Sequence, residues 1–454
     1  MLEVRGLTLG SPTVFDAAGS TDSEGRVLSS TLDISGLGVF DGPVAAVLFD
    51  APGTYPVTLT LNAGDDSATL EETVEIIVEP AQGSATVHVH IVDEEGAPVA
   101  DIDVFDEIAS TLLGTTDASG LVTTPIDRDG LRTLSAVGEE YALGVSRVRV
   151  PAGVDEFHHR IALTRRGEKR LLPLAEDGGR IESDLGAVVE FQPGSIVDEA
   201  GQAISGTAVL QFTSVDASRE QGKAFPGGFD AFTEDGTLGI LGSYGPTEFH
   251  LTDASGNRLN IDPSMPALIE MPLSIEGPNV GDEIPVWSLD ETFGVWVSEG
   301  VGEVVASADS PTGRALRASV THFSWWNPDV MLGEQRLIEL VVDGAGNAGE
   351  PTGPGGDEGQ PVQVRARSNG AFEAFFDSAN AELLTGFDTT IANGVPATVS
   401  VAPGSLDVEA WSLDGRFRYD GPITIREVDQ DRETLNLFDV WEEAQPFVHL
   451  LKRD

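Results

Sequence analysis

ATVHVHIVDEEGAPVADIDVFD, residues 85–106, is the stretch whose reading decides the fold. Val87, Val89 and Ile91 alternate with His88 and His90, the period of two that sends successive side chains to opposite faces of a strand. Asp93, Gly96 and Pro98 interrupt the pattern with turn chemistry, and alternation resumes at Ile102 and Val104. Strand, turn, strand is the reading, and no helical period of 3.6 fits these residues. The same grammar recurs in FDAPGTYPVTLTL (49–61), FHLTDASGNRLNI (249–261) and IPVWSLDETFGVWVSEG (284–300). The expectation is an all-β chain with little helix.

At 454 residues the chain suits three or four domains rather than one core. It has no cysteine, which excludes disulfides, thiolate metal sites and a cysteine nucleophile. Acidic residues outnumber basic ones by 75 to 26, for a net charge of -49, and lysine occurs only at Lys169, Lys223 and Lys452. Such a surface repels phosphate backbones and anionic lipid, so nucleic acid and the membrane surface are not expected partners. The acidity reads either as a solvated, salt-adapted coat or as cation binding. No apolar run approaches the roughly 20 residues needed to span a bilayer, so membrane insertion is not expected. The opening MLEVRGLTLGSPTV lacks the charged and apolar regions of a signal peptide.

Composition and turn signals divide the chain at 1–80, 84–164, 165–331, a Gly/Pro/acid linker over 332–359, and a C-terminal β-unit over 360–454. In the first segment, Phe15-Asp16, Gly19-Ser20, Asp22, Gly25 and the Pro52-Gly53-Thr54-Tyr55 turn resemble the polycystic-kidney-disease (PKD) repeat, an immunoglobulin-like module of bacterial secreted proteins. Asp16, Asp22 and Glu24 are candidate oxygen ligands for calcium, with ordinary turn chemistry as the alternative. Calcium is the one cofactor these residues suggest, and none is required.

In the second segment, Asp93–Val99 and Thr116–Gly120 pair a D-x-x-G-x-P-V turn with a T-D-x-x-G turn. That pairing resembles the carboxypeptidase-regulatory, or transthyretin-like, sandwich, and implies no peptidase activity. His88 and His90 share one face of their strand and could hold one metal ion; with Val87, Val89 and Ile91 opposite, the expectation is that they face solvent. His158 and His159 are adjacent, so a strand sends them to opposite faces.

The third segment carries an expected hairpin with Trp287 and Trp296 on its arms and another turning at Ser255-Gly256-Asn257. It resembles the sandwich domain shared by ankyrins, netrin receptors and zonula-occludens proteins, and more closely its relatives in cartilage intermediate layer protein and bacterial surface proteins. Together these resemblances imply tandem immunoglobulin-like and transthyretin-like β-sandwiches. WEEAQPFVHLLKRD (441–454) is expected to add a short helix.

No G-x-S-x-G elbow, H-E-x-x-H helix or phosphate loop is present. Gly344, Gly346 and Gly349 spell G-x-G-x-x-G, but Pro351 and Pro354 forbid the helix that a dinucleotide site needs. One catalytic constellation remains, in RASVTHFSWWNPDV (317–330). Read as extended over 318–326, it puts His322 and Ser324 on one face, and an imidazole beside a hydroxyl can activate it. The reachable carbonyl is that of Phe323. The His-Phe-Ser triplet also resembles the self-cleavage triplets of sandwich domains in some death-domain proteins and of the adhesion-receptor GAIN domain, which implies His322 as base, Phe323 as acyl donor and Ser324 as nucleophile. The opposing reading is packing, since Trp325 and Trp326 bring large apolar area.

The functional expectation is a noncatalytic extracellular or cell-surface scaffold, with the periplasm as an alternative, serving as stalk, adhesin or display surface for a protein or carbohydrate ligand. Its alternatives are the same scaffold with autoproteolysis at Phe323–Ser324, and a carbohydrate-binding accessory module using Trp411 as an aromatic platform.

Overall fold

The computed structural model describes residues 83–334, apart from 129–130, 151–153, 219–221, 223 and 234–237. It also describes 2–5, 13–17, 29–34, 38–41, 44–47, 53–63, 66–76, 336–343, 362–368, 383–391, 397–401, 404–412, 418–425 and 447–452. Among these no α-helix is present, and the longest helical element is a three-residue 3-10 turn at Ala175–Asp177; the fold is built of strands. The all-β expectation holds. No helix is long and apolar enough to cross a membrane.

The N-terminal region sets a four-stranded sheet, in the order Gly38–Asp41, Ser29–Ile34, Gly53–Ala63, Asp66–Ile76, beside a three-stranded one of Glu3–Arg5, Thr13–Asp16 and Val44–Val47. Phe15, Leu32, Ile34, Val57, Leu59 and Val74 form its core. Of the proposed calcium ligands, Asp22 and Glu24 lie outside the described residues, as does the side chain of Asp16.

The second region is a two-sheet sandwich. One sheet runs Thr111–Thr115, Asp103–Asp106, Leu131–Val137, Gly144–Arg149; the other runs Leu121–Asp127, Ser84–Asp93, Glu156–Leu163. Val87, Val89 and Ile91 are fully buried, as their alternation requires. The two turns are fastened by their own side chains. Asp93 Oδ1 accepts the Ala97 amide, Asp117 Oδ1 accepts the Ser119 and Leu121 amides, and buried Thr116 bridges Ile102 N–H to the Val99 carbonyl. Gly120 closes the second turn at φ +71, where an added Cβ would lie 2.5 Å from the Ile91 carbonyl oxygen.

The central strand Ser84–Asp93 has different neighbours on its two sides. Leu121–Asp127 pairs with it antiparallel, whereas Glu156–Leu163 pairs parallel, matching Glu156 to Thr86, His158 to His88 and Arg160 to His90.

The third region is a twelve-stranded sheet folded around one large core. Its order is Lys169–Leu172, Ala208–Ser214, Thr247–Asp253, Trp325–Glu334, Leu238–Ser243, Asp230–Phe232, Val295–Ala306, Arg314–Val320, Ala267–Pro272, Val188–Phe191, Gly179–Glu182. Glu283–Asp290 pairs with both Val295–Ala306 and Trp325–Glu334. The expected tryptophan hairpin is present, with Leu289 opposite Trp296. The hairpin turning at 253–257 also forms, anchored on Asp253 and closed by the Thr252–Arg258 bridge and the Leu259 N–H to Leu251 carbonyl bond, and its returning arm runs on to pair Asn260–Ile261 with Ile196–Val197. Trp287, Trp296, Trp325 and Trp326 are all at most 2% exposed. Each removes roughly 150–250 Å² from water, a gross stabilisation of about 4–6 kcal/mol per ring before entropy.

Two C-terminal expectations change. Phe447–Lys452 is a strand, not a helix, and pairs antiparallel with Arg336–Asp343. Six residues are too few to sustain a helix alone, and the edge of Arg336–Asp343 decides the conformation. Arg336–Asp343, assigned from sequence to the linker, belongs to the same sheet as Ala397–Val401. A second sheet, in the order Gly386–Ile391, Val362–Ser368, Gly404–Ser412, Arg418–Ile425, completes this region. The G-x-G-x-x-G segment at 344–349 lies outside the described residues.

Candidate functional site

The His-Phe-Ser triplet does not lie in a strand. Arg314–Val320 ends before it, Trp325–Glu334 begins after it, and residues 321–324 form the bend between them. The two-residue periodicity that would put His322 beside Ser324 therefore fails at this point. A strand cannot continue here because its two flanks belong to different parts of the sheet: Arg314–Val320 pairs with Ala267–Pro272 and Val295–Ala306, and Trp325–Glu334 with Thr247–Asp253, Leu238–Ser243 and Glu283–Asp290.

Each side chain of the triplet has a separate partner. His322 Nε2 lies 2.8 Å from Glu299 Oε1, and its ring leans on Trp326. Burial raises the Glu299 pKa, but hydrogen bonds from His322 and Ser288 outweigh it and hold the carboxyl below its ordinary value. Phe323 is buried between Phe191 and Phe249, and its amide donates to Asn260 Oδ1 at 2.9 Å. Ser324 Oγ donates to the Leu289 carbonyl at 3.1 Å and to Glu291 Oε1 at 3.0 Å. Glu291 is in turn forked onto Arg258. Among the described residues, positive φ outside glycine occurs only at Asp101 and Ser110, so the bend carries no left-handed strain. Glu291 and Glu299, the carboxylates that hold the triplet, have no local sequence signal; only the hairpin carrying them brings them here.

The same bend is tied to the second region. Trp325 Nε1 donates to the Leu143 carbonyl at 2.8 Å, and the Leu143 amide donates to Glu248 Oε1 at 2.9 Å, so both backbone groups of one residue are taken by the next module. Nearby, Gly227 N–H donates to the Val145 carbonyl, and Arg147 pairs with Asp230 at 3.0 Å. Gly294, at φ +65, lets the third module close over the second, because a Cβ there would lie 2.9 Å from Arg147 Cγ and 3.2 Å from Thr133 Cγ2.

A second constellation lies on the outer face of the sheet containing Ser84–Asp93. His88 and His90 do point away from the core, as alternation requires, and His159 points into it, where it meets Ser146. Parallel pairing then adds what spacing could not show. His158 stacks on His88 at 4.4 Å and on His90 at 5.3 Å, and Glu156 reaches across to them. His88 Nε2 lies 2.9 Å and His158 Nε2 3.8 Å from Glu156 Oε1. His90 Nε2 and His158 Nδ1 are 3.0 Å apart, and His88 Nδ1 is 3.0 Å from Thr123 Oγ1. Burial, then the neighbouring histidines His88 and His90, push the His158 imidazole down to about 4. Burial, then His88 and Arg160, lower His90. EFHHRIAL (156–163) carries the alternation of a strand, yet nothing within it names the strand it will lie against.

Three comparisons with known proteins bear on this architecture. No family model matches the sequence, and no curated protein matches it. Solved structures similar to it include carbohydrate-binding modules of the β-sandwich superfamily (7% identity, TM-score 0.17, covering 100% of this chain and 90% of that one). Others are the TIE protein of Bacillus anthracis (10%, 0.16, 94% and 72%) and BcpA, the major pilin subunit of Bacillus cereus (10%, 0.16, 76% and 96%). At this level of similarity they carry no argument about what the chain does.

Proposed function

We propose that the chain is a noncatalytic, modular extracellular or cell-surface protein, a string of β-sandwiches that holds and displays rather than transforms. The observation that carries this reading is the seam between the second and third modules. Leu143 is gripped at both its amide and its carbonyl, Arg147 is paired with Asp230, and Gly294 permits close approach. Backbone-to-side-chain bonds of this kind, in a desolvated setting, resist hinge motion more than a flexible linker does. The PKD-like, transthyretin-like and cartilage-protein-like resemblances fit such a scaffold, and the acidic coat keeps it dispersed. Small-angle scattering of the full chain and of a Trp325→Phe/Arg147→Ala double variant tests it. A scaffold stiffened at the seam shows a broader distance distribution in the variant; identical profiles would remove the argument.

A second reading is autoproteolysis at Phe323–Ser324, and one observation favours it. Ser324 Oγ already donates to a carboxylate, Glu291, so Glu291 stands where His322 was expected to act as base. In that step Ser324 Oγ attacks the Phe323 carbonyl carbon, its proton passes to Glu291, the amide nitrogen leaves with a proton, and water hydrolyses the resulting ester. Denaturing electrophoresis reads it directly. The 47.8 kDa chain divided in proportion to residues 1–323 and 324–454 gives bands of roughly 34 and 14 kDa, absent in Ser324→Ala. A single full-length wild-type band sinks it. Carbohydrate contact through Trp411 rests on a side chain outside the described residues, and all four described tryptophans are core.

A further inference from the structure

We propose that the outer face of the second sandwich holds a divalent transition cation, zinc being the reference case, on His88 Nε2, His158 Nε2 and Glu156 Oε1. One ligand atom from each of the three residues lies within 4.8 Å of the other two. Tetrahedral zinc with bonds of about 2.0–2.1 Å sets its ligands roughly 3.3–3.4 Å apart. The two spacings to Glu156, 2.9 Å and 3.8 Å, bracket that value. Small rotations of exposed Glu156 suffice to centre an ion, since that side chain is 66% exposed while each imidazole is only 19% exposed.

The groups behind the ligands are also in place. Metal-binding histidines donate their second ring N–H to a fixed acceptor, which orients the ring and selects the tautomer. Here His88 Nδ1 lies 3.0 Å from Thr123 Oγ1 and His158 Nδ1 lies 3.0 Å from His90 Nε2; a metal that displaces the proton between His88 Nε2 and Glu156 selects the tautomers in which each Nδ1–H donates to that acceptor and each Nε2 faces Glu156. His90 is thus a positioning residue rather than a ligand. The backbone holds the set rigid, because Thr123, His88 and His158 sit opposite one another on three paired strands. Two imidazoles and one carboxylate suit zinc, copper or nickel and not calcium, which prefers six to eight oxygens. Arg160, one outward position beyond His158 on the same strand and opposite His90, is the local opposing charge. The chain's net charge of -49 works in the other direction and draws cations in. Three protein ligands leave coordination positions open to water or to a side chain from a partner.

The test is calorimetric titration of the full chain, first stripped with chelator, with zinc and separately with calcium. The expected result is one equivalent of zinc on the wild type. Binding is weakened at least ~10-fold by His88→Ala or His158→Ala and by a smaller factor in His90→Ala, since loss of an orienting group still costs affinity. Calcium does not compete. No zinc binding by the wild type, affinity unchanged in His88→Ala and His158→Ala, or equal displacement by calcium would each overturn the assignment. Electron paramagnetic resonance of copper(II) on the wild type gives a variant-free check. Hyperfine coupling to two nitrogens supports the site, and coupling to none refutes it.

Discussion

The bend at 321–324 and the face around His158 began from the same kind of clue, a histidine two residues from a chemically useful partner. They ended differently. At the bend, the spacing His322-x-Ser324 lost its meaning because the chain leaves one strand for another, and the two side chains went to Glu299 and to Leu289 and Glu291. On the face, the spacing His88-x-His90 kept its meaning because the strand is straight, and a third strand added His158 and Glu156 in register. A period of two predicts neighbours only where the backbone stays extended, and it is silent about the strand alongside.

The contrast has energetic consequences, which five substitutions measure. The largest lies at the bend: Trp325→Ala should cost roughly 3–5 kcal/mol in chemical denaturation, since it empties a fully buried ring site and frees the Leu143 carbonyl. His158→Ala, on the part-exposed face, should cost under about 0.5 kcal/mol without metal. Comparable losses from the two would erase the distinction between a structural bend and a solvent-facing face.

Next, Gly294→Ala should destabilise by about 1–3 kcal/mol, from a side chain forced to positive φ and pushed onto Arg147. Calorimetry of that variant should also separate the unfolding of the second and third modules; a single unshifted transition would mean the seam does not couple them.

A smaller effect comes with pH. The Glu299 carboxyl titrates below its ordinary 4.5 in the native state, so its bonds to His322 and Ser288 contribute fully above that pH. The contribution fades as acid carries the solution down through the lowered native value. Its size is about 1 kcal/mol, because the group is partly exposed. In Glu299→Gln the acid limb of the stability curve should flatten by that amount, and an unaltered limb would show that His322 is not anchored there.

The smallest effect is Thr123→Val. Stability should move by less than about 0.5 kcal/mol, while zinc affinity falls severalfold through loss of the His88 orienter. Equal zinc isotherms for Thr123→Val and wild type would leave Thr123 without a role.

Much of the architecture was legible in advance because burial follows alternation. Val87, Val89, Ile91, Val57 and Leu59 are buried as their spacing requires, and the Asp93 and Asp117 turns close on their own carboxylates. The C-terminal FVHLLK was misread as helix because six residues carry too little pattern to choose between periods. Glu291, Glu299 and Glu156 escaped notice for another reason. In a chain with 75 acidic residues, no single carboxylate stands out by composition.

What the amino-acid order determined by itself is local: which segments are strands, where they turn, and which face of each is apolar, because these depend on neighbours one to four residues away. What only the tertiary structure decided is which strands lie side by side, and in what register. The parallel seating of Glu156–Leu163 on Ser84–Asp93, which brings His90 to His158 across 68 residues of chain, depends on long-range packing that no window of sequence contains.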